Sequence, residues 1–203
     1  MKNVMADRRL LIGYVLAHLL LLFTFQEKGV FWYLFTASML ILISFSILHE
    51  GLENHASALK YLSYGVLSGI AVYGLFWLGG TMIDILKLPL SGQISQLYRL
   101  FEPNSAWHFI VLIIIIAPGE EIFWRGFVLR RLLNHLNVRT SVILSSFLYA
   151  SVHIYSGQFA LFLAALAAGL AWGVLYAWKR SIPLVVVSHI VFDLLLFVLL
   201  PLR

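Results

Sequence analysis

Apolar residues fill this chain in long stretches, broken by short polar segments. Seven stretches stand out: Leu10 to Phe25, Val30 to Leu48, Tyr61 to Ile85, Ala106 to about Leu133, Ser141 to Tyr155, Gln158 to Trp178, and Leu184 to Leu200. A helix rises about 1.5 Å per residue and a bilayer core is roughly 30 Å thick, so stretches of this kind read as membrane-crossing helices. The pattern predicts an all-α, polytopic transmembrane helical bundle of about seven spans. Gly79-Gly80 marks a point where the third span could end early. The connecting segments are short and carry Gly, Pro, Asn or Ser, except Lys87 to Ser105, which has room for a re-entrant or interfacial helix. There is no internal repeat and no low-complexity tract, and residues 1–203 read as a single membrane domain.

Composition agrees with this pattern. Of 203 residues, 62% are hydrophobic and 11% are charged, where a soluble domain carries roughly 25% charged residues. The absence of cysteine excludes disulfides, thiolate metal ligands and a cysteine nucleophile. The net charge of +5 comes mostly from short clusters beside the spans, so it reports orientation and gives no reason to expect a nucleic-acid partner. Lys2, Arg8 and Arg9 precede span one; Arg130, Arg131 and Arg139 separate spans four and five; Lys179 and Arg180 separate spans six and seven. With seven spans these clusters share one side, which the positive-inside rule makes cytoplasmic. The expectation is a multi-pass protein of the cell membrane with a cytoplasmic N-terminus and external Ser156-Gly157 turn, Lys87 and Arg99 being weak exceptions. The basic Met1 to Arg9 segment superficially resembles a signal peptide, but no small-residue cleavage site follows Leu19 to Leu22, so it reads as leading into an uncleaved helix.

Charge inside a span is the most informative departure. Glu120, Glu121 and Arg125 interrupt the apolar run from Trp107 to Leu133, and a charge at membrane depth costs upward of about 2.5 kcal/mol. Two more polar islands follow, His153 in span five and His189 with Asp193 in span seven. Counted from the nearest basic residue, Glu120 lies about 15 Å from Arg130, His153 about 21 Å from Arg139 and His189 about 14 Å from Arg180. The three islands are therefore expected to meet in one cavity in the cytoplasmic half of the bilayer. Glu121 and Arg125 are four apart and share a helical face, which lets them pair, while Glu120 projects about 100° away toward another partner. Tyr149 with His153, and His189 with Asp193, repeat the same spacing. Pro118-Gly119 is expected to loosen the helix just before the glutamates.

This set suits attack of water on a carbonyl. Amide hydrolysis needs a base for the water proton, a donor for the oxyanion and an acid for the leaving amine, roles open to Glu120, the histidines and Asp193. Glu120, His153 and His189 are equally a three-ligand set for a catalytic zinc with an open fourth position. Spacing leaves both open.

Glu120-Glu121-x-x-x-Arg125, then Tyr149-x-x-x-His153, then His189-x-x-x-Asp193 resembles the CPBP family of intramembrane proteases. This family comprises the type II CAAX prenyl proteases and the bacteriocin-processing or immunity (Abi) proteins. The resemblance covers 107–200. It implies an endopeptidase in which Glu120 activates water, Glu121 and Arg125 support it, and His153, His189 and Asp193 complete the site. The family's second motif usually begins with phenylalanine, where this chain has Tyr149, and its added hydroxyl needs a partner. Eukaryotic CAAX proteases tend to have asparagine where Asp193 stands. Members have been classed both as metalloproteases and as glutamate-dependent proteases, so zinc stays an alternative. The implied partner is a membrane peptide or protein, drawn from prenylated C-termini, bacteriocin leaders and signalling peptides.

Blander readings compete. Glu120, Glu121 and Arg125 could be a structural ion-pair network, and His153, His189 and Asp193 could be helix-pairing contacts. A non-catalytic immunity or peptide-binding protein and a small proton-coupled transporter are the rival functions, the latter disfavoured by the lack of an inverted repeat. His18, His49, His55, His108 and His135 are expected near span ends or in loops. Trp32, Tyr33, Trp77, Trp107 and Trp178 read as interface anchors. The small residues from Ala164 to Gly173 read as a close-packing face.

Overall fold

Without water to satisfy their backbones, apolar segments must bond internally, and in the computed structural model, which describes Val4 and residues 7–202, they do so as helices. Lys2, counted in the first basic cluster, lies outside the described residues. The helices are α1 (Arg8–Gln26), α2 (Phe31–His49), α3 (Ala58–Ile85), α4 (Ser91–Phe101), α5 (Ala106–Leu133), α6 (Val138–Val152), α7 (Phe159–Lys179) and α8 (Ile182–Leu199). Among the described residues there is no strand, and the only β-type pairing is an isolated bridge between Asn54 and Ser181.

Six helices, all but α4 and α6, are long and apolar enough to cross a membrane. The expected fifth span, α6, has 15 residues. At about 1.5 Å each it reaches about 22 Å, short of the hydrocarbon thickness. A 3-10 turn, His153–Ser156, follows it, and Gly157 at φ 72° reverses the chain into α7. The third span does not stop at Gly79-Gly80, since α3 continues to Ile85. In an apolar surrounding a broken helix would strand its backbone groups, which outweighs the weak helix preference of two glycines. The Lys87 to Ser105 segment holds the amphipathic α4, whose Tyr98 is buried and donates its hydroxyl to the Leu196 carbonyl at 3.1 Å.

Glycines set the closest helix approaches. A Cβ on Gly65 would stand 3.0 Å from the Leu184 carbonyl oxygen, and one on Gly69 would stand 2.6 Å from that of Ser188, so α3 lies against α8 along its first half. Further on, Gly74, Gly79 and Gly80 face open space, while Tyr73 and Phe76 keep α3 on α8 through the Leu200 carbonyl at 2.6 Å and the Phe192 ring at 4.8 Å. In α7, a Cβ on Gly169 would stand 3.1 Å from Ser146 of α6, in keeping with a small-residue packing face.

The ends bearing Arg8, Arg9, Arg130, Arg131, Arg139, Lys179 and Arg180 lie together and are stapled. Arg131 grips both oxygens of Asp7 at 2.8 and 3.0 Å and also bonds Glu50, joining the ends of α1, α2 and α5. Asp7 in addition caps α1 by accepting the Leu10 N–H. Between this staple and the membrane centre the interior is filled by Phe123, Phe127, Val128, Leu129 and Leu132, none measurably exposed.

Candidate active site

Pro118 has no N–H to donate, and its ring would press on the carbonyl four residues back, so an ordinary α-helix cannot run through it unstrained. The strain is relieved by widening: π-helical turns at Leu112–Ile116 and Ile122–Leu129 flank the short α segment Ala117–Glu121. Gly119 lets α2 approach, since a Cβ there would meet Met39 Cβ at 3.0 Å. The two glutamates thus sit in a locally rewound stretch midway along α5, with Glu121 fully buried and Glu120 bordering a cavity.

Glu121 is tied by two donors. Its Oε1 accepts from Arg125 Nη1 at 2.9 Å and from His189 Nδ1 at 2.8 Å. Arg125 is clamped in turn, with its guanidinium 4.9 Å from the Tyr149 ring and 5.3 Å from the Trp172 ring, and Nη2 3.4 Å from the Gly169 carbonyl. One carboxylate and one guanidinium therefore knit α5, α7 and α8 together and fix the His189 ring.

Glu120 faces elsewhere. Its Oε1 lies 3.8 Å from His153 Nε2, and its Oε2 lies 3.6 Å from His189 Nε2 and 3.4 Å from the Tyr149 hydroxyl, which donates to it. His153 Nδ1 is 2.9 Å from the Tyr149 carbonyl, an acceptor only, so Nδ1 carries the proton and the ring is fixed with Nε2 toward Glu120. Asp193 Oδ2 has no protein hydrogen-bond partner and lies 3.7 Å from His189 Nε2. All six site residues expected from the sequence are brought within one cluster, and the Tyr149 hydroxyl finds its partner in Glu120.

Residues 102–195 match the model of a protein family described as type II CAAX prenyl endopeptidase Rce1-like. This region is similar to that family. No curated protein and no solved structure matches the chain. The matched region carries every residue of the cluster, and the six long apolar helices make the chain an integral membrane protein.

Two residues outside the motifs, Trp172 and His18, touch the cluster or the chain beside it. Trp172 stacks on His189 with centroids 3.9 Å apart and donates its indole N–H to Ser188 at 3.1 Å, so it sets the plane of the imidazole. Its signal in the sequence is position: it stands well inside a span, where aromatic belts are not placed. His18 also departs from expectation, since it lies within α1 and not near its end. Its Nδ1 is 2.8 Å from the Tyr155 hydroxyl and its Nε2 3.2 Å from Ser151 Oγ, a polar seam joining α1 to the chain on either side of His153.

As a zinc site the cluster offers suitable donor chemistry. Both Nδ1 atoms are hydrogen-bonded, leaving both Nε2 atoms toward Glu120, as ligating histidines are usually held. Against the ~3.3–3.6 Å implied by tetrahedral bonds of about 2.0–2.2 Å, the 3.6 Å separation lies at the upper limit and the 3.8 Å one beyond it. Among the described residues, no group of three or more His, Asp or Glu side chains is arranged to hold a metal ion.

The cavity beside Glu120 measures about 420 Å³, within the usual range of ligand sites. Glu120, His153, His189 and Asp193 line it together with a largely apolar wall including Phe25, Phe31, Phe76 and Leu97. The open space lies on the side away from the basic ends, contrary to the expected cavity in the basic half. Counting residues measures how deep the cluster lies, but not which side of it is packed. Here the basic side is filled by the phenylalanine and leucine core of α5.

Proposed function

We propose that this protein hydrolyses a peptide bond of a membrane-associated peptide or protein, with Glu120 as the base that activates water. The observation carrying this reading is the division of labour between the glutamates: Glu121 is bound to Arg125 and His189, while Glu120 borders the cavity between two histidine Nε2 atoms. His153 Nε2 carries a lone pair when its ring is neutral and so accepts a hydrogen from the attacking water, orienting it toward the carbonyl. Glu120 takes the other proton as the C–O bond forms. The developing oxyanion meets the Tyr149 hydroxyl and, when protonated on Nε2, His189, which Glu121 and Trp172 hold in place. Glu120 then returns the proton to the leaving nitrogen as the C–N bond breaks, and Asp193 steadies the His189 side of the site.

The fixed tautomer of His153 and the Glu121-bound Nδ1 of His189 also favour a second reading, in which Glu120, His153 and His189 hold a zinc ion. Such an ion would supply a more acidic bound water. The purified protein incubated with membrane peptides in H₂¹⁸O is expected to yield two fragments with one ¹⁸O in the new carboxyl group. Peptide binding without fragments would instead favour the immunity reading, and proton-driven uptake into liposomes the transporter. Metal analysis of active protein separates the two hydrolytic readings: stoichiometric zinc whose removal stops cleavage supports the second, and full activity in chelator the first.

A further inference from the structure

The cavity wall is built from one end of each helix. α3 contributes Phe76, Gly80 and Ile83 from its C-terminal half, α7 contributes its N-terminal half beginning at Ala160, and α4 lies alongside with Leu97. These are the ends opposite Arg8, Arg9, Arg130, Arg131, Arg139, Lys179 and Arg180. α6 stops early on the same side, so the His153–Ser156 turn lies below the level the longer helices reach. The α7 start is tied to α4, whose Gln93 Oε1 accepts the Ala160 N–H at 2.9 Å. Toward the basic side, Phe123, Phe127, Val128, Leu129 and Leu132 of α5 are fully buried, and the Asp7–Arg131–Glu50 staple joins the ends of α1, α2 and α5. Gly79 and Gly80 of α3 line the cavity with nothing within 4 Å of where a Cβ would stand, so no side chain fills it from that position.

The positive-inside rule makes the basic ends cytoplasmic. We propose that the catalytic cluster is reached from the extracytoplasmic leaflet and that its substrate is an apolar, extended segment of a membrane-inserted peptide. That segment descends between α3 and α4, and its scissile bond rests on Glu120. Apolarity follows from the aromatic and aliphatic wall. Extension follows because a helix about 10 Å across hides its carbonyls in its own hydrogen bonds. The hydrolytic role of Glu120 is taken from the reading above, whereas the direction of approach rests on packing and charge alone.

The chain has no cysteine, so single cysteines report accessibility without background. Leu97→Cys lies on the cavity wall, Ser95→Cys on the exposed face of α4, and Arg139→Cys in the basic loop. Intact cells are treated with a charged, membrane-impermeant methanethiosulfonate reagent. The expected result is reaction of Ser95→Cys and Leu97→Cys in intact cells and of Arg139→Cys only after permeabilisation. Reaction of Leu97→Cys only after permeabilisation, or of Arg139→Cys in intact cells, overturns the direction. Ser95→Cys reacting while Leu97→Cys stays inert under both conditions overturns the access path. None of these depends on cleavage, so a protein that hydrolyses nothing still reports the direction. In active protein, a bulky maleimide on Leu97→Cys should abolish turnover and one on Arg139→Cys should leave it intact; equal turnover with both overturns the assignment of this cavity to the substrate.

Discussion

Arg125 and Glu121 form an ion pair that is 2% and 0% exposed on its two sides, in a protein whose surroundings offer no water to either charge if the pair is broken. Replacing Arg125 with Met keeps the length of the side chain and leaves Glu121 charged, buried and bonded only to His189. Breaking a buried pair from one side costs about 3–5 kcal/mol. The lost ring contacts with Tyr149 and Trp172 add about 0.5–2 kcal/mol, while the carbonyl contacts at 3.4 and 3.5 Å are long enough to add little. Glu121→Gln keeps an acceptor for Arg125 and should cost less, about 1.5–3 kcal/mol for the charge-assisted bonds. The double variant Glu121→Gln with Arg125→Met contains neither charge, so it should fall short of the sum of the singles by about 2–3 kcal/mol, within the range of contacting residues. Denaturant unfolding in detergent micelles, read by tryptophan fluorescence, gives all four corners of the cycle. An Arg125→Met cost under about 1 kcal/mol, or additive singles, would refute the view of this pair as the tie between α5, α7 and α8.

Tyr149→Phe removes a 3.4 Å bond to Glu120 and restores the family's usual ring; steady-state kinetics should show kcat lower by about three- to tenfold, or about 0.5–1.5 kcal/mol, with KM unchanged. Gly69→Ala places a methyl 2.6 Å from the Ser188 carbonyl, a backbone atom that cannot swing aside, and should destabilise by about 1–3 kcal/mol. It should also lower activity by displacing the adjoining His189, whereas Gly74→Ala, with nothing within 4 Å, should leave both unharmed. At Asp7, burial acts to raise the carboxyl pKa, but the Arg131 guanidinium, the Leu10 N–H and His135 outweigh it and hold the pKa below the ordinary 3.8. A carboxyl lowered on folding contributes stability above its unfolded pKa and loses it as pH falls through the folded value. The stability gap between wild type and Asp7→Asn, about 1.5–3 kcal/mol near neutrality, should therefore persist down to about pH 4 and close below it in acid unfolding titrations.

The helical architecture and the makeup of the cluster were legible because both are local. Apolar runs announce spans, and the spacing of four that joins Glu121 to Arg125, Tyr149 to His153 and His189 to Asp193 puts each pair on one face whatever the tertiary fold. What escaped the sequence depends on contacts between distant helices. His18 belongs to a seam with Ser151 and Tyr155, more than a hundred residues away, and nothing near it in the chain announces those partners. The open side of the cluster is likewise a matter of filling: Phe123 and Phe127 occupy the basic half, whereas Gly79 and Gly80 present no side chain to the other. The end of α6 is not marked in the sequence because the turn residues that follow it, Ile154 and Tyr155, are themselves apolar.

The central claim is that Glu120 does the chemistry while its neighbour Glu121 holds the scaffold, and the most direct measurement is single-turnover cleavage of a bound membrane peptide by the Glu120→Gln protein in proteoliposomes. Loss of the base should slow cleavage by at least about 100-fold, with peptide affinity and unfolding midpoint equal to wild type, since Glu120 lies outside the Arg125 network. Cleavage at the wild-type rate, or a collapse of stability matching that of Arg125→Met, would contradict it.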